Sequence, residues 1–385
     1  MILKNAMIFN DEFELVRADI QTDGDRIEQI SHWINDRTNN EEELDMTGCM
    51  ILPGFVDIHI HGCAGADTMD GTRSSIACMA SHLLKNGVTS FCPTTMAGSV
   101  EQIDSALAAV RDCMDNPPDG ASVLGVHMEG PYLSHEKKGA QLEEALRTPD
   151  FEEFLSFYNK CRGAIRLVDV SPECENAGEF IARTSELCTV SIAHSNADYD
   201  MAMEAFRLGC THVAHLFNAM TGLHHREPGI VGAVFDSSGV SAELICDGIH
   251  IHPAVLRAAF FLLGEKRSII VSDSMRAAGL QDGESELGGQ KVFNRNGMAM
   301  LEDGTLAGST TNMLNEVRNL VRFGIPLKQV VRSATINPAS AIGMDGEIGS
   351  IREGKRADLV ILDEKLELKM VVARGMTGGA YVNRG

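Results

Sequence analysis

The chain has 385 residues, 44% hydrophobic and 23% charged, with a formal net charge of −21. A chain this long buries a large core without disulfide staples. Its acidic balance excludes a nucleic-acid binder, which needs a basic face to displace counterions, and disfavours anionic membrane surfaces.

In chain order, Met1–Phe9, Phe13–Ile20 and Arg26–Ile30 alternate apolar and polar residues between the turn signals Asn10-Asp11 and Asp23-Gly24, and read as short strands. The N-terminus lacks the basic start and apolar stretch of a signal peptide. Eight strand candidates follow: Ile51–His61, Val88–Thr94, Ser122–Glu129, Ile165–Val170, Thr189–His194, His212–Leu216, Ser241–Asp247 and Ser268–Asp273. Between most of them lie helix-like segments, clearest at Ser74–Lys85, Val100–Met114, Asp200–Leu208 and Pro253–Gly264. The apolar run Ala258–Leu263 is far too short to span a bilayer. Near the end, Asp358–Asp363 and Lys369–Ala373 again read as short strands.

Strands alternating with helices imply parallel βαβ units, and eight such units imply a closed (β/α)₈ TIM-like barrel. The expected architecture is α/β: residues 53–344 form the barrel, and residues 1–52 plus 345–385 form a small β-sandwich domain. Ten cysteines are scattered without a C-x-x-C pair, several inside apolar runs, which suits a reduced, cytoplasmic protein.

A barrel places its active site at the C-terminal ends of its strands. The residues there are His59 and His61 on the first strand, Glu129 on the third, His194 on the fifth, His215 on the sixth and Asp273 on the eighth. His59 and His61, two apart on a strand, point to one side. One histidine at a strand end is usually a hydrogen-bonded structural residue. Six ligand-type residues on five strand ends read instead as a binuclear metal site. One ion takes His59 and His61, the other His194 and His215, with Glu129 between them and Asp273 beside the first. An ion in such a site lowers the pKa of a bound water and polarises a carbonyl, and Asp273 fits the carboxylate that takes and returns the proton. A helix-capping role is the plainer alternative for Asp273. His32, His82 and His252 fall in loops or helices and read as structural, and His127, two residues before Glu129, reads at most as a support for the ligands.

The segment Leu52–Gly62 (LPGFVDIHIHG) resembles the opening strand of the amidohydrolase superfamily, and Gly354–Asp363 its closing strand. His127–Gln141, Ala193–Ala197, His215–Met220, Arg226–Gly229, Cys246–His250, Val271–Met275, Leu306–Ser309 and Asn337–Ala341 together resemble the N-acetylglucosamine-6-phosphate deacetylase family within it, in that family's order. The resemblance implies metal-dependent release of acetate from an N-acetylated amino-sugar 6-phosphate. It implies Glu129, His194 and His215 as metal ligands and Asp273 as acid and base. It implies substrate contacts at Ala140, Gln141, Asn218, Ala219, His250, Leu306, Ala307 and Gly308. Arg226 matches an arginine that binds the phosphate in a neighbouring subunit's site, which implies a homodimer; His224, His225, Lys137 and Lys138 are further sources of local positive charge.

Some members carry amides in place of the first-strand histidines and hold one ion; His59 and His61 here imply two divalent ions, zinc or iron. Some members carry His where Gln141 stands, facing the substrate, which leaves N-acetylgalactosamine 6-phosphate as an alternative substrate. A cyclic-amide hydrolase of the same superfamily is a weaker rival, since such enzymes typically bridge their metals with a lysine ending strand four, and Arg166–Glu173 (RLVDVSPE) holds none. A non-catalytic scaffold is weaker still, because every ligand position is filled.

Overall fold

The computed structural model describes residues 1–35 and 42–378. Strands Ile2–Phe9, Leu15–Asp23 and Arg26–Ser31 form an antiparallel meander. Strand Cys49–Pro53 pairs parallel to Ile2–Phe9 on one side and antiparallel to Leu359–Asp363 on the other. Leu368–Ala373 and Met376–Gly378 extend the same sheet, and Glu43–Asp45 pairs with Ile2–Phe9. Both chain ends thus meet in one eight-stranded sheet, as the two β-rich termini predict. Its apolar face joins Leu3, Ile8 and Ile20 to Ile51, Leu359, Ile361 and Val372, so neither end can bury its face without the other. Residues 36–41 and 379–385 of the expected small domain lie outside the described residues.

The run Ile51–His61, expected as one strand, is two, in different sheets. The break is Gly54, where a Cβ would lie 2.0 Å from Thr89 Oγ1, so the chain passes that strand only without a side chain. Beyond it, Phe55–Ile60, Val88–Pro93 and Ser122–Val123 form a parallel three-stranded sheet. Val126–Met128, Ile165–Val170, Thr189–Ile192, Cys210–Val213, Ser241–Leu244 and Ser268–Ile270 form a parallel six-stranded sheet. A bridge between Thr94 and His127 links the two. At the other edge, Asp273 N donates to His59 O (2.9 Å) and His61 N to Ser274 O (2.9 Å).

Helices follow the strands, among them Arg73–Leu84, Val100–Asp115, Phe151–Lys160, Tyr199–Leu208 and Pro253–Arg267. The side chains of Thr72, Ser99, Asp150 and Asp198 cap four of them by accepting from first-turn amides. One core lies between strands and helices. A second fills the concave side of the sheets with Val56, Ile58, Leu124, Leu167, Ile245, Ile269 and Val271, together with Ala339 and Ile342. Thr189 Oγ1 donates to Ala341 O (2.7 Å) and Asn337 Nδ2 to Ser268 O (2.8 Å). Helix Ile336–Ala341 therefore plugs the end where the strands begin, leaving their C-terminal ends for polar residues.

A three-stranded antiparallel unit, Gly283–Leu287, Gln290–Arg295 and Met298–Met300, was not expected from the sequence. Its tight turns carry Gly288-Gly289 and Asn296-Gly297, all four with positive φ, the pattern of two-residue hairpins. Gln290 Nε2 donates to Ala140 O (2.7 Å), docking the unit beside the open end.

Candidate metal centre and active site

His59 lies within strand Phe55–Ile60; His61, Glu129, His194, His215 and Asp273 stand just past the ends of theirs. Three of them have left-handed backbones: His194 (φ 44°), His215 (φ 27°) and Asp273 (φ 45°). Such a conformation costs a non-glycine residue about 1–3 kcal/mol and persists where the surroundings impose it. Here it turns three strand ends inward, so that side chains far apart in sequence meet.

They meet around Glu129. Its Oε1 lies 3.1 Å from His215 Nε2, 3.2 Å from His194 Nε2 and 3.5 Å from His59 Nε2. Its Oε2 lies 3.4 Å from His61 Nε2. Asp273 Oδ1 lies 3.3 Å from His61 Nε2 and 3.6 Å from His59 Nε2. Tetrahedral ligands about 2.0–2.1 Å from a cation stand about 3.3 Å from one another. The cluster has that spacing, which is longer than a good hydrogen bond for the His59 and His61 contacts. His59 Nε2 is buried with no hydrogen-bond partner among the described residues. The donor set therefore fits a divalent cation: among the described residues three groups could hold one, His59 with His61 and Glu129, Glu129 with His194 and His215, and His59 with His127 and Glu243.

The electrostatics agree. Burial raises the Glu129 pKa, but His194, His215 and His59 outweigh it and hold the carboxyl well below its ordinary range. Burial likewise opposes charge on Asp273, and His59, His61 and His215 bring its pKa down. Both are therefore carboxylates at neutral pH, the state needed for a ligand or a base. Burial disfavours charge on His59, but Glu243, Asp273 and Glu129 raise its pKa well above normal. A cation entering the cluster would displace those protons.

Above the cluster opens a cavity of about 360 Å³. His61, Glu129, His194, His215 and Asp273 line its floor, and the expected substrate residues Ala140, Gln141, Asn218, Ala219, His250, Leu306 and Gly308 line its wall. Lys137 and Leu287, the latter from the unexpected hairpin, also face it. His250 Nδ1 contacts Asp247 Oδ2 at 2.7 Å, which fixes the ring and, against the cost of burial, raises its pKa. Gln141 is turned to the metal cluster: Nε2 donates to Glu129 Oε2 (2.5 Å), and Oε1 accepts from Ala97 N (2.8 Å). Two expected contacts lie off the cavity. Ala307 is fully buried between neighbours that line it. Arg226 is exposed, and its Nη1 meets His225 Nε2 at 2.8 Å.

Beneath the cluster lies a buried polar layer of which the sequence reading named only His127. Glu243 accepts from His59 Nδ1 (2.8 Å) and His212 Nε2 (3.0 Å). His127 faces Ile58 O through Nδ1 (3.0 Å) and Asp169 Oδ2 through Nε2 (2.9 Å). The available signal was a charged residue inside an otherwise apolar strand, as Glu243 is in SAELI and Asp169 in RLVDV.

Strand-end imidazoles and carboxylates gathered on the floor of one cavity form a candidate metal-assisted hydrolase centre, and the chain belongs to the amidohydrolase family, whose profile matches residues 50–382. Within it, the chain is 39% identical over 331 residues to the N-acetylglucosamine-6-phosphate deacetylase of Bacillus subtilis, covering 85% of this chain and 84% of that one. It is 35% identical over 328 residues to the N-acetylgalactosamine-6-phosphate deacetylase of Escherichia coli O157:H7, covering 85% and 87%. The solved N-acetylglucosamine-6-phosphate deacetylase of Pasteurella multocida superposes with a TM-score of 0.92 at 31% identity, over 98% of this chain and 99% of that one. Among the described residues, no helix is long and apolar enough to cross a membrane.

Proposed function

We propose that this chain hydrolyses the acetamide of N-acetylglucosamine 6-phosphate, releasing acetate and glucosamine 6-phosphate. The observation that carries this reading is the placement of Glu129 between two histidine pairs, with Asp273 beside them, on the floor of a cavity of about 360 Å³. His59 and His61 would hold one divalent ion and His194 and His215 a second, with Glu129 between them and Asp273 beside the first; zinc and iron both suit these donors. Bound there, such ions would supply polarisation of the acetamide carbonyl and a stronger acidity of water.

The chain's own residues do the rest. Asp273, ionised and facing the cavity, takes a proton from the attacking water as the new C–O bond forms, and passes it to the nitrogen as the C–N bond breaks. His250, its Nδ1 held by Asp247, presents Nε2 to a substrate oxygen. Asn218, Ala219 and the Leu306–Gly308 loop shape the sugar pocket, and Arg226 grips the phosphate of a substrate held by a second copy, in a homodimer. A guanidinium suits that task, since it binds phosphate through two parallel hydrogen bonds.

The same reading covers the frame. With Ser122–Val123 and Val126–Met128 taken as one broken strand, the two parallel sheets close as one eight-stranded barrel over residues 53–344, supported by the Thr94–His127 bridge and the backbone bonds from Asp273 and His61 across the other seam. Residues 1–52 and 345–385 form the small β-sandwich domain. Ten free cysteines, several of them buried, suit a reducing cytoplasm.

Release of acetate from N-acetylglucosamine 6-phosphate, N-acetylgalactosamine 6-phosphate and unphosphorylated N-acetylglucosamine tests the proposal. The first should be the best substrate. The galacto epimer is the second reading, favoured by the relative from Escherichia coli O157:H7 and by Gln141, whose side chain is engaged with Glu129. No acetate from either phosphorylated sugar would overturn both.

A further inference from the structure

Glu243 is fully buried in the middle of strand Ser241–Leu244, and neither the first-strand motif nor the strand-end rule singles it out. Among the described residues no lysine or arginine pairs with it, and its ion-pair partners are His59 and His212. Oε2 lies 2.8 Å from His59 Nδ1 and accepts from the backbone N of His215 (3.2 Å), while Oε1 lies 3.0 Å from His212 Nε2. His212 is itself backed by Ser241 Oγ at 2.9 Å from its Nδ1. One carboxylate thus touches the ring of a ligand in one candidate ion group and the backbone of a ligand in another.

A carboxylate facing an imidazole nitrogen can only accept, so Nδ1 of His59 carries the proton and donates it. Once an entering cation displaces the other proton, Nε2 is the free nitrogen, and Nε2 is the atom aimed at Glu129 and Asp273. The hydrogen bond on one ring nitrogen sets which nitrogen is free to bind an ion, and fixes the plane of the ring. The His215 amide matters for a second reason. His215 sits at φ 27°, and a strained turn keeps its aim only where neighbours hold it.

We propose that Glu243 is a positioning residue for the binuclear centre: it locks His59 in the tautomer that turns Nε2 to the ions and ties the strained His215 turn to the same anchor. The proposal rests on the metal-centre reading above and adds to it the residue that sets the ligand geometry.

Two substitutions separate positioning from mere filling of space. Glu243→Met keeps the volume and removes every acceptor. Glu243→Gln keeps one acceptor for His59 and His215, while its amide N–H can donate to His212 if that ring moves its proton to Nδ1, towards Ser241 Oγ. The test is zinc content per chain and zinc affinity by chelator competition, on the full-length chain, with circular dichroism as the check on folding. Wild type should hold two zinc ions. Glu243→Met should weaken the His59 and His61 site by about 10–100-fold, the usual effect of losing a partner behind a ligand. Glu243→Gln should recover most of that loss.

A second measurement needs no variant. In zinc-loaded wild type with ¹⁵N-labelled histidine, His59 should carry its proton on Nδ1 and show Nε2 as the metallated nitrogen. Two zinc ions bound at wild-type affinity by Glu243→Met, or a His59 proton found on Nε2, would overturn the proposal. A wild-type chain that binds no zinc would instead overturn the metal-centre reading. Should Glu243→Met fail to fold, the histidine spectrum of the wild type decides.

Discussion

The floor of the cavity and the exposed loop Leu223–Arg226, off the cavity, are built on opposite lines. On the floor, Glu129, His59, His61 and His215 are at most 3% exposed, and every charged group lies within reach of a partner of opposite sign. In the loop, Leu223, His224, His225 and Arg226 are all exposed, and the Arg226 guanidinium meets only the neighbouring His225 ring. Groups that act on a bond need separations fixed to tenths of an ångström, so strand ends and burial hold them. A phosphate grip needs positive charge, and an exposed guanidinium in water is a weak one until a second surface excludes solvent around it. On our proposal the chemistry is complete within one chain, whereas the phosphate site is completed by a second.

The sharpest way to break this contrast is to empty the floor. Dialysis against a chelator should abolish acetate release by more than about 10³-fold while the circular dichroism spectrum persists, and zinc should restore it; activity unaffected by chelation would remove the floor from the chemistry. Next in size, Asp273→Asn should lower kcat by about 10²–10⁴-fold with zinc content retained, because the amide cannot carry the proton. Arg226→Ala probes the exposed loop. It should raise KM for the phosphorylated sugar by about 10–100-fold, the worth of a charge-assisted pair, and leave the unphosphorylated sugar unchanged. If the loop works across copies, an inactive Asp273→Asn chain mixed with Arg226→Ala should regain activity through heterodimers, and no regain would place Arg226 in its own chain's site.

The smallest effect concerns thiols and sharpens the division between interior and surface. Burial pushes Cys92 up to about 12, so it stays a thiol at pH 8 in the folded chain, while Cys78 is exposed. A thiol reagent at pH 8 should modify Cys78 first and spare Cys92 until the chain unfolds, as peptide mapping would show.

Much of this was legible along the chain. His59 and His61 two apart, Glu129 closing an apolar run, and His194, His215 and Asp273 ending three more announce ligand chemistry, because few other arrangements place so many donors at apolar strand ends. The alternating termini announced the small sheet, since short strands at both ends had only each other to cover their apolar faces. Two expectations went astray for local reasons. The run Ile51–His61 has unbroken apolar character, and only the approach of Thr89 to Gly54 shows that it turns there from one sheet into the next. The hairpin from Gly283 to Met300 carried its turn signals, Gly288-Gly289 and Asn296-Gly297, but its mixed, exposed strands lack the apolar run that marks a core strand.

Composition, alternation and the kind of residue at each strand end are properties of the chain alone, and they decided the α/β class and the set of candidate donors. Which nitrogen of His59 faces the cluster, that Gln141 spends its amide on Glu129, that Glu243 stands behind two ligands and that Arg226 lies off the cavity were decided only by folding. Hydrogen bonds have direction and short reach, and the partners that fix them here, Glu243 to His59 or Gln141 to Ala97, come from segments that no periodicity in the sequence connects.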